Sequence, residues 1–134
     1  MTPQISTLRG LKQGCVLAPL LFNLYTADMG SALKDSGLLI PRHGQHKLQL
    51  MQYADDVVIL DHTKIGLQRA LTALHQYNIK NHLVVNAHKS KILIFGAHRH
   101  KASARWNIGQ NTLTTCKTYK YLGAWYSERN SLQK

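Results

Sequence analysis

A chain of 134 residues is one domain's worth of sequence, too short to hold a multi-domain enzyme with separate binding modules. Seventeen Lys and Arg against six Asp and Glu leave a formal charge of +11, with eight His besides, and 44% hydrophobic residues exclude disorder as the main state. Cys15 and Cys116 make no disulfide framework, no charged-then-apolar leader opens the sequence and no apolar run reaches the roughly 18 residues of a span, which points to a reducing, intracellular setting, nuclear or cytoplasmic, without membrane crossing.

Gly10 and Gly14 flank Leu11-Lys12-Gln13 and suit an extended segment entering a tight loop. Pro19 then opens a helix: Leu20, Leu21, Leu24, Ala27, Ala32 and Leu33 stand at near-helical spacing on a face to be buried, and Gly37 is placed to end it. After a turn from Pro41 to Gly44, the runs Lys47 to Tyr53 and Val57 to Leu60 read as a hairpin with Ala54-Asp55-Asp56 at its tip. Leu67, Ala70, Leu71, Leu74 and Tyr77 recur at intervals of three and four and predict a second amphipathic helix, with Asn81 as a left-handed stop. Leu83 to Val85 and Ile92 to Phe95 are short apolar strands around Asn86-Ala87-His88-Lys89-Ser90, and Gly96 to Arg105 is a solvated basic loop. Trp106 to Ile108, Leu113 to Thr115 and Tyr119 to Tyr126 read as further antiparallel strands, with Gly109-Gln110-Asn111 as a turn. The order predicts the α+β class: an antiparallel sheet with two helices packed on one face and small β-hairpins at the C-terminal end. A β-α-β-β-α-β unit needs one more strand before the first helix, for which Ile5 to Leu8 are a stub.

The positive charge is spread along the chain, so the surface complements a polyanion, with nucleic acid first among partner classes and plain solubility as the ordinary alternative. The strongest chemical signal is Tyr53-Ala54-Asp55-Asp56 between two apolar strands. Two neighbouring carboxylates repel, and a divalent cation is the natural way to hold both ionised. Mg²⁺ prefers such hard oxygen donors, and two ions about 3.5 to 4 Å apart stabilise the attacking and leaving oxygens of phosphoryl transfer. The rival is ordinary turn chemistry, in which Asp simply favours a hairpin loop. His43 with His46 and His98 with His100 invite a zinc reading, but neither pair sits near a cysteine pair at finger-like spacing.

The carboxylate pair does not stand alone. Gly10-Leu11-Lys12-Gln13-Gly14 followed by Cys15-Val16-Leu17-Ala18-Pro19-Leu20-Leu21-Phe22 resembles the G-x-x-Q-G-x-x-x-S-P-x-L-F segment, motif B, of reverse transcriptases. Tyr53 to Asp56 matches the Y-x-D-D box, motif C. Leu83 to Lys91 looks like motif D of the non-LTR (LINE-type) retrotransposon enzymes, and Tyr119-Lys120-Tyr121-Leu122-Gly123 looks like their motif E. The sequence is identified on these four motifs, in the family's order, as similar to the LINE-type reverse transcriptases. One partial domain over 1–134 would then comprise a motif B loop and helix (9–37), a motif C hairpin (47–60), a motif D helix and strands (64–95) and a motif E region (106–126).

The resemblance implies a partial polymerase palm acting on an RNA or DNA template, a primer 3′ end and deoxynucleoside triphosphates, with Mg²⁺ as cofactor and Mn²⁺ as an alternative. By position, Asp55 and Asp56 match the metal-binding carboxylates, Asp55 as primary ligand. Tyr53 falls beside the primer terminus, and Gln13 and Gly14 in the loop against the templating base pair. Lys89 matches a lysine near the triphosphate, with Lys91 as a rival on the same strand face. Tyr121, Leu122 and Gly123 match the primer grip, and ordinary solubility or sheet packing is the alternative for each of these last residues. Ala18 stands where the family usually has Ser, and His82 where it usually has Gly in a left-handed turn. Motif A, with a further carboxylate, is expected to lie ahead of motif B and outside this sequence, since neither Asp28, Asp35 nor Asp61 is placed to replace it. The expectation is therefore a polymerase portion inactive alone, with an unpaired sheet edge. Its rivals are a non-catalytic basic nucleic-acid-binding module and a retroelement remnant without function.

Overall fold

The computed structural model describes residues 14–34, 42–43, 46–47, 50–96 and 105–129. Gln13, the Ile5 to Leu8 stub, Asp35, the Gly37 stop, His98, His100 and the side chains of His43 and His46 fall outside what is described. In chain order the elements are α1 (Ala18–Tyr25), α2 (Met29–Lys34), β1 (Arg42–His43), β2 (His46–Lys47), β3 (Leu50–Tyr53), β4 (Asp56–Ile59), α3 (Lys64–Lys80), β5 (Lys91–Leu93), β6 (Trp106–Ile108), β7 (Asn111–Cys116), β8 (Thr118–Tyr121) and β9 (Ala124–Ser127). The architecture is α+β.

Pro19 lies in the first turn of α1, where a missing N–H costs nothing. The single helix expected from Pro19 to Gly37 is instead two. Both the N–H and the hydroxyl of Thr26 donate to the Phe22 carbonyl at 3.0 Å, and a hydroxyl that takes this carbonyl bends a helix. Burial follows the break. Thr26, Met29 and Leu33 are buried, whereas no residue of α1 is. The leucine stripe expected in the core is therefore corrected: Leu20, Leu21 and Leu24 are 64%, 46% and 72% exposed.

The second predicted helix forms as α3. Thr63 caps it, accepting from the Gly66 N–H at 2.9 Å, and the Asp61 carboxylate accepts from both the N–H and the hydroxyl of Thr63. A Cβ on Gly66 would run into that carboxylate, which explains glycine inside the first turn. Ala70, Leu71, Leu74 and Tyr77 are buried as their spacing requires. At the other end, the left-handed residue is His82 (φ 52°) and not Asn81 (φ −98°). The His82 N–H donates to the Ile79 carbonyl and the Leu83 N–H to the Asn78 carbonyl, the paired bonds of a Schellman cap with His82 in the glycine position.

The β3–β4 and β8–β9 pairs are antiparallel hairpins, but the three-stranded sheet β5-β7-β6 is mixed, because β5 runs parallel to β7 with Ile92 opposite Thr115. The purely antiparallel expectation is corrected here, since the chain between β5 and β7 includes β6 and is long enough for a crossover. Leu83 to Val85 is not a strand, as Leu83 is spent on the helix cap and Val84 stands 94% exposed.

The core joins Met29 and Leu33 of α2, Leu71, Leu74 and Tyr77 of α3, and Ile92, Trp106, Ile108 and Leu113 of the sheet. Leu50, Val57 and Ile59 of the β3–β4 hairpin pack against it. Gln68 of α3 donates to the Asn107 carbonyl at 2.8 Å and accepts from its N–H at 2.9 Å, so one side-chain amide pairs with β6 as a strand would. The β6 edge is met at this point by a side chain.

The Tyr77 hydroxyl donates to an Asp28 carboxylate oxygen at 2.6 Å, tying α3 to the helix break, and burial first, then Asp28, hold its phenol far above the ordinary value of 10.0. A phenol whose acidity is suppressed only in the folded state contributes stability that is fully present below pH 10 and lost as pH rises further. Tyr77→Phe is expected to cost about 1.5–3 kcal/mol at neutral pH and to flatten the fall in stability above about pH 10, read by urea unfolding across pH. His82→Gly is expected to raise stability by roughly 0.5–1 kcal/mol, the relieved left-handed strain less the added freedom of the unfolded chain. A lower urea midpoint in that variant would contradict the cap.

Candidate active site on the Asp55–Asp56 hairpin

The hairpin turn is tighter than the sequence suggests. Tyr53 pairs with Asp56, so the loop is Ala54-Asp55 alone and Asp56 is the first residue of β4. Ala54 has φ 51°, a left-handed position that two-residue hairpin loops usually give to glycine, and holding alanine there costs on the order of 1 kcal/mol. Strand alternation turns Leu50, Gln52, Val57 and Ile59 inward, and Met51, Tyr53, Asp56 and Val58 to the opposite face. Asp55 and Asp56 are exposed, and Tyr53 is 65% exposed.

Gln52 fixes this turn from behind. Its amide donates to the Thr26 hydroxyl oxygen at 2.6 Å and to the Ala54 carbonyl at 3.2 Å. A relay thus runs from the Phe22 carbonyl through Thr26 and Gln52 to the strained residue just before Asp55. Sequence reasoning missed both Gln52 and Thr26. The available signal was a glutamine at an inward position between apolar residues, where a buried amide requires partners.

The β8–β9 hairpin turns at Leu122 (φ 47°) and Gly123 (φ 86°), two successive left-handed residues as a type I′ turn demands. Tyr121, at the base of that turn, has its phenol pushed up by burial first, then by the negative charge of Asp56 and by Tyr126. The Asp56 charge of the motif C segment thus acts on a phenol of the motif E segment.

Lys89 and Lys91 do not share a strand face, which corrects the placement expected of them. Residues 87–89 form a turn organised by Asn86, whose carbonyl accepts from the Lys89 N–H, the Ser90 N–H and the Ser90 hydroxyl. The Lys89 side chain is exposed, while Lys91 lies in β5 with its ammonium donating to the Thr114 hydroxyl at 2.9 Å. The Lys89 carbonyl accepts from the Tyr119 hydroxyl at 3.4 Å, placing this turn beside β8. Gly14 has φ 83° and open space about its Cα, so it fills a left-handed position that disfavours other residues.

Among the described residues, no three His, Cys, Asp or Glu side chains converge as metal ligands. Asp28 is committed to Tyr77 and Asp61 to Thr63, so neither supplements the exposed pair. Asp55 and Asp56 by themselves offer adjacent carboxylates, the hard oxygen donors that suit Mg²⁺.

Residues 3–126 match the family model described as reverse transcriptase (RNA-dependent DNA polymerase). The chain belongs to that reverse transcriptase family. It is 28% identical over 85% of its length to the RNA-directed DNA polymerase from mobile element jockey of Drosophila funebris, covering 12% of that protein. It is 29% identical over 96% of its length to the retrovirus-related Pol polyprotein from type-1 retrotransposable element R2 of Nasonia vitripennis, covering 13%, and 26% identical over 93% to the corresponding R2 protein of Popillia japonica, covering 19%. It is thus a reverse transcriptase domain of the LINE type, spanning less than a fifth of the length of these relatives. No solved structure matches the chain.

The upward push that the Asp56 charge gives the Tyr121 phenol has a direct spectroscopic consequence. Asp56→Asn is expected to lower the Tyr121 phenol toward the ordinary tyrosine value while burial keeps it from returning fully, as read by ¹³C NMR titration of the tyrosine ring carbons. An unchanged Tyr121 titration would show that Asp56 does not act on this phenol.

Proposed function

We propose that this reverse transcriptase domain is a portion of the palm of an RNA-directed DNA polymerase that extends a primer with deoxynucleotides on an RNA or DNA template by two-metal nucleotidyl transfer. The observation that carries it is the geometry of the Asp55–Asp56 turn: two adjacent exposed carboxylates, anchored from behind by Gln52 and Thr26. In this reading Asp55 and Asp56 hold Mg²⁺ or Mn²⁺, with Asp55 as primary ligand. The bound ion supplies Lewis-acid stabilisation of the oxygens at the reacting phosphorus. Tyr53, on the same hairpin face as Asp56, presents a ring edge to the primer end. Gln13 and Gly14 face the templating pair, where glycine admits a nucleotide close to the backbone and the glutamine amide both donates and accepts. The exposed Lys89 ammonium neutralises the leaving pyrophosphate or gives it a proton. Tyr121, Leu122 and Gly123 grip the primer through the left-handed turn.

The formal charge of +11 also supports a second reading, a non-catalytic nucleic-acid-binding module, whose affinity would fall steeply with salt and ignore Asp55→Ala or Asp56→Ala.

Two carboxylates make an incomplete site, so the purified chain is expected to give no primer extension with deoxynucleotides and Mg²⁺ or Mn²⁺. Mn²⁺ is expected to broaden the amide resonances of Ala54, Asp55 and Asp56, and Asp55→Asn to abolish that broadening. Extension that depends on Asp55 would overturn the inactivity of the chain alone. Broadening that persists unchanged in both Asp55→Asn and Asp56→Asn would overturn the metal assignment.

A further inference from the structure

We propose that the outward face of the β8–β9 hairpin is a stacking platform for single-stranded nucleic acid, with the Trp125 indole receiving a base and the Lys120 ammonium its neighbouring phosphate. The register sets two faces. Lys120 pairs with Trp125 and Thr118 with Ser127 on one, while Tyr119 pairs with Tyr126 and Tyr121 with Ala124 on the other. The tyrosine face meets the rest of the protein at Tyr119, whose hydroxyl reaches the Lys89 carbonyl, and at the half-buried Tyr121, while Tyr126 is 37% exposed. On the other face Thr118, Lys120 and Trp125 are exposed.

Two tryptophans occur in the sequence, and their environments are opposite: Trp106 is 4% exposed in the core, whereas Trp125 is 47% exposed. The Lys120 ammonium nitrogen stands 5.9 Å from the centroid of the Trp125 ring, within cation–π range. An exposed indole beside an ammonium group, on a chain of formal charge +11, presents a π-face and a phosphate contact together. The occupant is a single strand because only unpaired bases offer a free face to an indole. The proposal rests on the reading of this chain as part of a nucleic-acid polymerase and adds a contact away from the Asp55–Asp56 turn.

The test uses a short dye-labelled oligo(dT), read by fluorescence anisotropy, together with quenching of intrinsic tryptophan emission. Because Trp106 is buried, quenching reports on Trp125. Oligo(dT) is expected to quench the wild-type emission and to bind with an affinity that falls with salt. Trp125→Ala is expected to weaken binding roughly 5- to 100-fold and remove the quenching, while Trp125→Phe keeps most of the affinity. Lys120→Ala is expected to reduce the slope of log affinity against log salt by about one. Wild-type affinity in Trp125→Ala overturns the platform and leaves the chain a nucleic-acid binder. Equal losses in Trp125→Ala and Trp125→Phe overturn it too, since stacking requires only an aromatic face. If the wild-type chain binds no oligo(dT), the platform falls together with the reading on which it rests.

Discussion

The hydrogen bond from the Gln52 amide to the Thr26 hydroxyl, 2.6 Å long, decides where the carboxylate-bearing turn sits. Thr26 is 1% exposed and already donates to the Phe22 carbonyl, so its oxygen is fixed in the break between α1 and α2. Gln52 bridges from that fixed point to the Ala54 carbonyl, holding the one residue of the hairpin whose backbone is left-handed. Severing the link at either side leaves polar groups without partners in a partly buried place, a loss of roughly 1–3 kcal/mol, and releases Ala54 to relax. The geometry of Asp55 is thus inherited from a helix break well away from it in the sequence.

The distribution of acids reinforces this arrangement. With six acidic residues in the chain, each carboxylate committed to the fold is one fewer for chemistry. Asp28 accepts from Tyr77 and thereby joins α3 to the start of α2, and Asp61 prepares the first turn of α3 by accepting from Thr63. Asp55 and Asp56 are different. They are exposed neighbours on a strongly basic chain.

Local chemistry was readable from the sequence, and long-range chemistry was not. Pro19 marked the start of a helix, the 3-and-4 spacing of Leu67 to Tyr77 marked the buried stripe of α3, and the Tyr53 to Asp56 box marked a hairpin, each because the signal lies within a few residues of its effect. The break at Thr26 was hidden because the threonine hydroxyl acts in concert with Gln52, which arrives from another element. The parallel run of β5 beside β7 was hidden because pairing direction depends on a crossover and not on apolar pattern. Asn81 looked like the left-handed residue on propensity, but the Schellman bonds set the cap one position later, where histidine bears the strain. Lys89 is kept out of a strand by Asn86, which folds the backbone around its own carbonyl. Of the site itself, the carboxylates and the Tyr121 to Gly123 turn were legible as motifs, whereas Gln52 and Thr26 were legible only as contacts.

Helix α1 buries no residue and is joined to α3 by the Tyr25 hydroxyl on the Asn81 carbonyl. Amides in such an element open to solvent at far smaller free energy than those of α3, whose inner face is packed along its length. Hydrogen exchange would therefore divide the protein into a slow unit around α3 and a fast unit at α1. The boundary between them falls at Thr26, which makes the helix break a thermodynamic seam as well as a bend.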